Sequence, residues 1–309
     1  MRSEDKIAPF VAGIELGGTK AIAVLGQGGK IVDRVAVPTS LPIETLAALA
    51  RVLAGWREQH DLAALGIAAF GPIALDRHAP DYGRLLATPK SGWVGADVVS
   101  PLVEAAGAPP VLLHTDVTGA ALAEGRWGSA QGLTDYVYVT IGTGIGMGLI
   151  VNGAPVIGRL HPEAGHMRVR RAPGDPFAGI CPFHGDCLEG LASGPAIAAR
   201  AGAPANTLAA DNPIWNTTAL ALAEGFATLF LTLAPATIIV GGGLGLGRAE
   251  LLPLVRRHTF ALLGGYLPFL PGEAAMEQAI RAAGLGGEAG VYGALALAER
   301  ALADGTTSR

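Results

Sequence analysis

The chain has 309 residues, half of them hydrophobic, with 45 glycines, 16% charged residues and a net charge of −4. That is enough apolar material for one large domain or two modest ones. The lack of a basic excess excludes electrostatic nucleic-acid binding, and two cysteines used close together fit a reducing compartment.

The opening residues MRSEDKIAPF carry charge and lack the apolar stretch and cleavage site of a signal peptide. No uninterrupted apolar run approaches the ~20 residues that span a bilayer, so a cytoplasmic protein without a membrane partner is expected. Pro9–Leu16 is a short apolar strand ending at Gly17-Gly18-Thr19-Lys20, and Ala21–Leu25 is a second strand. Gly26–Lys30 makes a turn and Ile31–Val37 a third strand. Strand, tight turn, strand is not a P-loop, which needs a helix after its glycines. The turn is either an ordinary hairpin or a phosphate cradle. In a cradle, Gly17 and Gly18 admit an anion to backbone N–H groups, Thr19 adds a hydroxyl and Lys20 a charge. Glu15, just before it, is where a carboxylate could hold Mg²⁺ through water.

Ile43–His60 has helical periodicity, with Leu46, Leu49, Val52 and Leu53 on the apolar face. Leu65–Phe70 is a buried strand ending at Gly71-Pro72, and Tyr82–Trp93 a polar loop. Val98–Ala106 is a helix, Pro110–His114 a strand and Val117–Trp127 a helix. Asp116 lies at the last strand-to-helix junction. It is either an N-cap, for which Asp is favoured, or a base at the carboxyl end of a strand, where α/β folds put their chemistry.

Tyr136–Ile141 opens a new strand set, and a glycine-rich turn over Gly142–Gly148 separates it from Leu149–Val151. This repeats the first hairpin and predicts two similar halves. Helices are expected over Ser193–Arg200, Trp215–Leu233, from about Arg248, and over Ala289–Ala303, with a strand Ala236–Val240 running into Gly241-Gly242-Gly243. The order βββαβα, followed by a glycine hairpin, further strand material and a third glycine turn, predicts an α/β protein with a duplicated ribonuclease-H-like fold. The expected lobes are residues 1–116 and 117–309, with the last helix packing back on the first lobe.

Within the second expected lobe lies His161–Gly190, which holds both cysteines and three of the seven histidines. Cys181, His184 and Cys187 form a C-x2-H-x2-C run. With His166 they make the four-ligand thiolate and imidazole set that a structural zinc needs, and His161 competes for the fourth place. A small disulfide loop and plain loop residues are the alternative readings. Glu163 and Glu189 stand at fixed spacings from these ligands. A zinc would therefore staple a loop whose acids grip a polar ligand.

Taken together, Gly13–Lys20, Thr115-Asp116-Val117, Thr140–Gly148, Glu163-Ala164-Gly165-His166 with Cys181–Glu189, and Gly241–Gly243 resemble, in this order, the ROK sugar kinases. These belong to the actin/hexokinase-like ATPases, whose two lobes flank a cleft. Glu15, Phe70-Gly71-Pro72-Ile73, Thr88-Pro89-Lys90 and the C-x2-H-x2-C run are similar to the bacterial fructokinases of that family. Thr118 departs from the usual Asn two residues after the catalytic Asp. The resemblance implies ATP-dependent phosphorylation of a hexose, D-fructose to D-fructose 6-phosphate first. Mannose, glucose or an N-acetylhexosamine are the competing substrates, and a sugar-responsive regulator without kinase activity is a remoter reading. It also implies MgATP as phosphate donor, a structural zinc and a homodimer. Asp116 would be the general base. Gly71, Pro72, Thr115, Glu163 and Glu189 would meet the sugar. Gly17, Gly18, Thr19, Lys20, Gly142, Thr143, Gly144, Pro195 and Gly241–Gly243 would meet the nucleotide.

Overall fold

The first hairpin forms because two apolar stretches flank a turn with little to bury. In the computed structural model, which describes residues 8–307, β1 (Phe10–Leu16) pairs antiparallel with β2 (Lys20–Gln27), and β2 with β3 (Lys30–Pro38). β1 and β2 are buried almost continuously, as strands covered on both faces must be. β3 alternates partly buried with exposed residues, the pattern of an edge strand with one face in water. α1 (Pro42–Arg57) buries Leu46, Leu49, Leu53 and Trp56 and leads to β4 (Leu62–Ala69), parallel to β1. α2 (Ser100–Ala105) leads to β5 (Val111–Thr115), parallel to β4, and α3 (Asp116–Trp127) follows without a gap.

The second half repeats this. β6 (Tyr136–Ile141), β7 (Ile145–Val151) and the two-residue β8 (Ala154–Pro155) form an antiparallel meander. After it come α4 (Leu188–Ala192), α5 (Gly194–Ala201), α6 (Ile214–Leu233), β9 (Thr237–Gly241), α7 (Gly242–Gly247), α8 (Leu251–Leu263), α9 (Met276–Ala279), β10 (Ile280–Ala282) and α10 (Ala289–Thr307). The sheet orders are β3-β2-β1-β4-β5 and β8-β7-β6-β9-β10, with the same parallel and antiparallel senses throughout. One ribonuclease-H-like sheet is therefore present twice.

The chain divides into two compact units. One takes the chain up to Ala123, Ile157–His161 and the chain from Gly290 onward; the other takes Glu124–Val156 and Pro162–Ala289. In the first unit, α10 lies directly on the sheet backbone. A Cβ on Gly66 of β4 would stand 2.3 Å from both the Ala294 carbonyl oxygen and the Ala298 nitrogen, so only glycine admits the helix there. The second unit packs Trp215, Phe226 and Phe230 of α6 against Val139, Ile238 and Val240. Its Glu124 is fully buried, and its carboxylate accepts the N–H groups of Ser129, Gly284 and Leu285 at 2.6, 3.0 and 2.9 Å.

Several boundaries differ from the expected ones. The second glycine turn is only Gly142–Gly144, because Ile145, Met147 and Leu149 alternate inward and β7 begins at Ile145. Gly242–Gly247 is helix rather than turn, and Arg248 caps it. Packing of Leu244 and Gly245 on Val240 and Ile141 outweighs the ~1 kcal/mol per glycine against helix. β8 and β10 are too short to show a period, and the sequence did not signal them. α6 has 20 residues and is the one described helix long and apolar enough to cross a membrane by length and composition, although Asn216 and Glu224 interrupt its apolar run. Two thirds of that stretch, 67%, is buried inside the fold. The expectation of no signal peptide concerns residues 1–7, which lie outside the described residues.

Candidate active site

In the first unit three predicted segments reach the carboxyl ends of neighbouring parallel strands. Leu16 of β1 pairs with Ala69 of β4, and Ala69 with Thr115 of β5. The Gly17–Thr19 turn, Gly71-Pro72 and Thr115-Asp116 thus emerge side by side, where open α/β sheets bind their ligands.

The first turn is tied down on several sides. Gly17 N–H donates to the Lys20 carbonyl at 3.1 Å, Thr39 N–H to the Thr19 carbonyl at 3.0 Å, and the Thr39 hydroxyl to the Gly17 carbonyl at 2.8 Å. Lys20 is the first residue of β2, and its side chain is exposed. The cation fixed on the turn is Lys90, whose Nζ donates to the Gly18 carbonyl at 2.5 Å and to the Thr39 carbonyl at 3.3 Å. The sequence offered Thr88-Pro89-Lys90 only as a mark of resemblance, since no local pattern says which turn a distant lysine reaches. Glu15 lies against the start of α10, and a Cβ on Gly290 would stand 2.0 Å from its Oε1.

Gly71 and Pro72 are joined by a cis peptide bond, and the next residue, Ile73, donates its N–H to Nε2 of buried His161 at 3.1 Å. His161 is thereby an acceptor in the first unit and no member of the metal group. At the β5–α3 corner, Thr115 Oγ1 accepts the Thr118 N–H at 3.2 Å and donates to Thr118 Oγ1 at 2.8 Å. The helix cap is therefore Thr115, not Asp116. Asp116 sits in the first turn of the helix, a favourable place for a carboxylate, and its Oδ1 accepts the Val117 N–H at 2.8 Å. Thr118 is buried, its hydroxyl engaged in fixing the corner. His114, one residue before the corner strand ends, is buried too, and its Nδ1 has no hydrogen-bond partner among the described residues.

In the second unit the Gly142–Gly144 turn carries exposed Thr143 at its tip. Gly194 N–H donates to the Gly142 carbonyl at 2.8 Å, which brings Pro195, in the first turn of α5, up to the turn. Thr140 pairs with Gly241, so Gly242 and Gly243 start α7 beside this turn. A Cβ on Gly242 would meet the Ile141 carbonyl oxygen at 2.4 Å, whereas Gly243 has nothing within 4 Å of that position.

His166, Cys181, His184 and Cys187 come together, their ligand atoms within 4.8 Å of one another. Nδ1 of His166 lies 3.6 Å from Cys181 Sγ and 3.5 Å from Cys187 Sγ, and Nδ1 of His184 lies 3.6 Å from Cys181 Sγ. A tetrahedron with Zn–S of about 2.3 Å and Zn–N of about 2.05 Å has S···N edges of about 3.5 Å, so this donor set fits zinc. Both cysteines are free thiols. Burial, with Cys181 beside it, pushes the Cys187 thiol up to about 11, so a bound cation would have to displace its proton. Glu189 Oε2 accepts the Ile145 N–H at 3.0 Å, and Oε1 lies 4.0 Å from His166 Nε2. The Glu163 carboxyl is raised above the usual glutamate range. Desolvation is the main cause and the Glu189 charge adds to it, while His166 opposes it.

A doubled ribonuclease-H-like sheet with a glycine hairpin turn at the same place in each copy defines the actin/hexokinase-like ATPase fold. The ROK family model matches residues 11–301, and the chain belongs to that family. Among curated relatives, it is 38% identical to a fructokinase of Pediococcus pentosaceus, over 95% of this chain and 99% of that one. It is 40% identical to a fructokinase of Zymomonas mobilis, over 96% and 98%. Among solved structures, a ROK family glucokinase from Streptomyces griseus in complex with glucose and AMPPNP matches with a TM-score of 0.70 at 27% identity, over 94% of this chain and 99% of that one.

Proposed function

We propose that this protein is an ATP-dependent hexose kinase whose preferred acceptor is D-fructose, converted to D-fructose 6-phosphate. The observation that carries the reading is the likeness, over 95% and 96% of the chain, to two relatives named fructokinase. Asp116 accepts the proton of the attacking sugar hydroxyl. The new bond joins that oxygen to the γ-phosphorus, the bond from γ-phosphorus to the bridging oxygen breaks, and ADP leaves. Such transfer is mostly positioning and electrostatics. Backbone N–H groups of Gly18 and Gly144, with Thr19, Thr143 and Lys20, hold the phosphates, while the N–H groups of Gly17 and Gly142 close the two turns. Mg²⁺ would offset their charge, and Glu15 is the carboxylate that would help to hold it. Pro195 and Gly241–Gly243 face the adenosine. Glu163 and Glu189 accept sugar hydroxyls, and Gly71, Pro72 and Thr115 line the sugar's side. Because Thr115 caps α3, Asp116 has a task of its own. A zinc on His166, Cys181, His184 and Cys187 would fix the segment that carries both glutamates.

A panel of fructose, mannose, glucose and N-acetylhexosamines with MgATP, read by coupled ADP release, tests the substrate; highest kcat/KM on another hexose overturns the fructose assignment. Asp116→Asn is expected to retain nucleotide and sugar binding and to lose at least about a hundredfold in turnover. Turnover near wild type would remove Asp116 as the base.

A further inference from the structure

The Gly142–Gly144 turn and the metal-ligating group belong to the same unit, and three contacts fasten one to the other. Gly165 stands beside His166, and a Cβ there would lie 1.7 Å from the Ile145 carbonyl oxygen. The 164–166 backbone therefore rests directly on the first residue after the turn. Glu189, two residues after Cys187, accepts the Ile145 N–H through Oε2 at 3.0 Å and turns Oε1 toward His166 Nε2 at 4.0 Å. Its Oε2 also stands 2.7 Å from where a Cβ of Gly144 would be, so the carboxylate occupies the space that glycine leaves. Gly194, just after α4, donates its N–H to the Gly142 carbonyl at 2.8 Å.

His166 has one ring nitrogen toward the two sulfurs and the other toward Glu189. Partners of this kind orient metal-ligating histidines, and the constraint acts in both directions. We infer that metal occupancy and nucleotide binding are thermodynamically linked through Glu189, which hands the fixed position of His166 on to the amide that closes the phosphate turn. This rests on the proposed role of Gly142–Gly144 in holding phosphate. Glu189 acts here as a positioning residue, in addition to its place toward the sugar. Without the cation the His166 ring is free to turn and the 164–166 backbone to shift. The Ile145 amide then loses its fixed acceptor, and the turn has more conformations to lose when a nucleotide binds. Linkage is reciprocal, so nucleotide must tighten metal by the same factor by which metal tightens nucleotide.

The test measures, by calorimetry on the full chain, the affinity for the magnesium complex of a non-hydrolysable ATP analogue. Zinc-loaded and chelator-stripped protein are compared in wild type and in Glu189→Gln. The variant keeps all four ligand atoms, but its amide cannot accept from both Ile145 and His166. Stripping is expected to weaken wild-type binding about tenfold and to change the variant by less than about twofold. Equal affinity of loaded and stripped wild type overturns the linkage, and an equal loss in the variant overturns the role of Glu189. Loaded wild type that binds no nucleotide defeats the phosphate-turn reading itself. If the stripped protein does not stay folded, the reciprocal arm decides: nucleotide should tighten zinc about tenfold in competition with a chelator, and no change overturns the inference.

Discussion

Removing the titration of His114 is expected to make the protein markedly more tolerant of mild acid. The imidazole is buried, and desolvation, with Arg300, His161 and Arg77 around it, pulls its pKa from 6.5 down to about 4. In the unfolded chain the same group protonates near 6.5. Between pH 6.5 and about 4 the unfolded state therefore binds more protons, and stability falls as pH falls through that window. At 1.36 kcal/mol per pH unit, the whole window is worth about 3.4 kcal/mol, and pH 5 about 2 kcal/mol. With a urea dependence of about 1–3 kcal/mol/M, lowering the pH from 7.5 to 5 should cost wild type about 1 M of urea midpoint through this group. His114→Leu keeps roughly the volume and cannot titrate, so its midpoint should fall by about 1 M less over the same pH change. An equal fall in both proteins would refute the reasoning. So would an NMR titration of the His114 ring with a midpoint above pH 6.

The metal site gives the next prediction: Cys181→Ser should purify without zinc and use sugar poorly, and wild type devoid of zinc by metal analysis would remove the site. Lys90→Met cuts the ties from its ammonium to the Gly18 and Thr39 carbonyls, so KM for MgATP should rise several-fold with the fold intact by circular dichroism. An unchanged KM would show that the turn holds its shape without that lysine. Glu124→Ala leaves three N–H donors without their acceptor, at partly buried positions, and should lower the stability of the second unit by about 1–3 kcal/mol. Glu124→Gln retains an acceptor and should lose less; equal losses, measured by urea unfolding, would deny that the carboxylate matters as an acceptor.

Much of the fold was legible because it is written in short-range patterns. Continuous apolar runs gave β1, β4 and β6, and the 3.6-residue period gave α1 and α6. The Ile145-Gly-Met-Gly-Leu alternation was visible too, but glycines at every second place made it read as turn. β10 has three residues and nothing in its own sequence to mark it; it is a strand because β9 lies beside it. The helical run Gly242–Gly247 violates propensity, and only its neighbours explain it.

What the sequence determined by itself is the repertoire: two glycine hairpins, an acid after a strand, and two thiols with histidines near them. Local chemistry selects those residue types, and spacing alone preserves their order. Tertiary structure decided the assignments. It set His166 among the sulfurs and gave His161 to the Ile73 amide, made Thr115 rather than Asp116 the helix cap, and brought Lys90 to a turn 72 residues away. Each of these is a choice between chemically equivalent groups. Such a choice is made by distance, which the chain acquires only when its sheets are closed and packed.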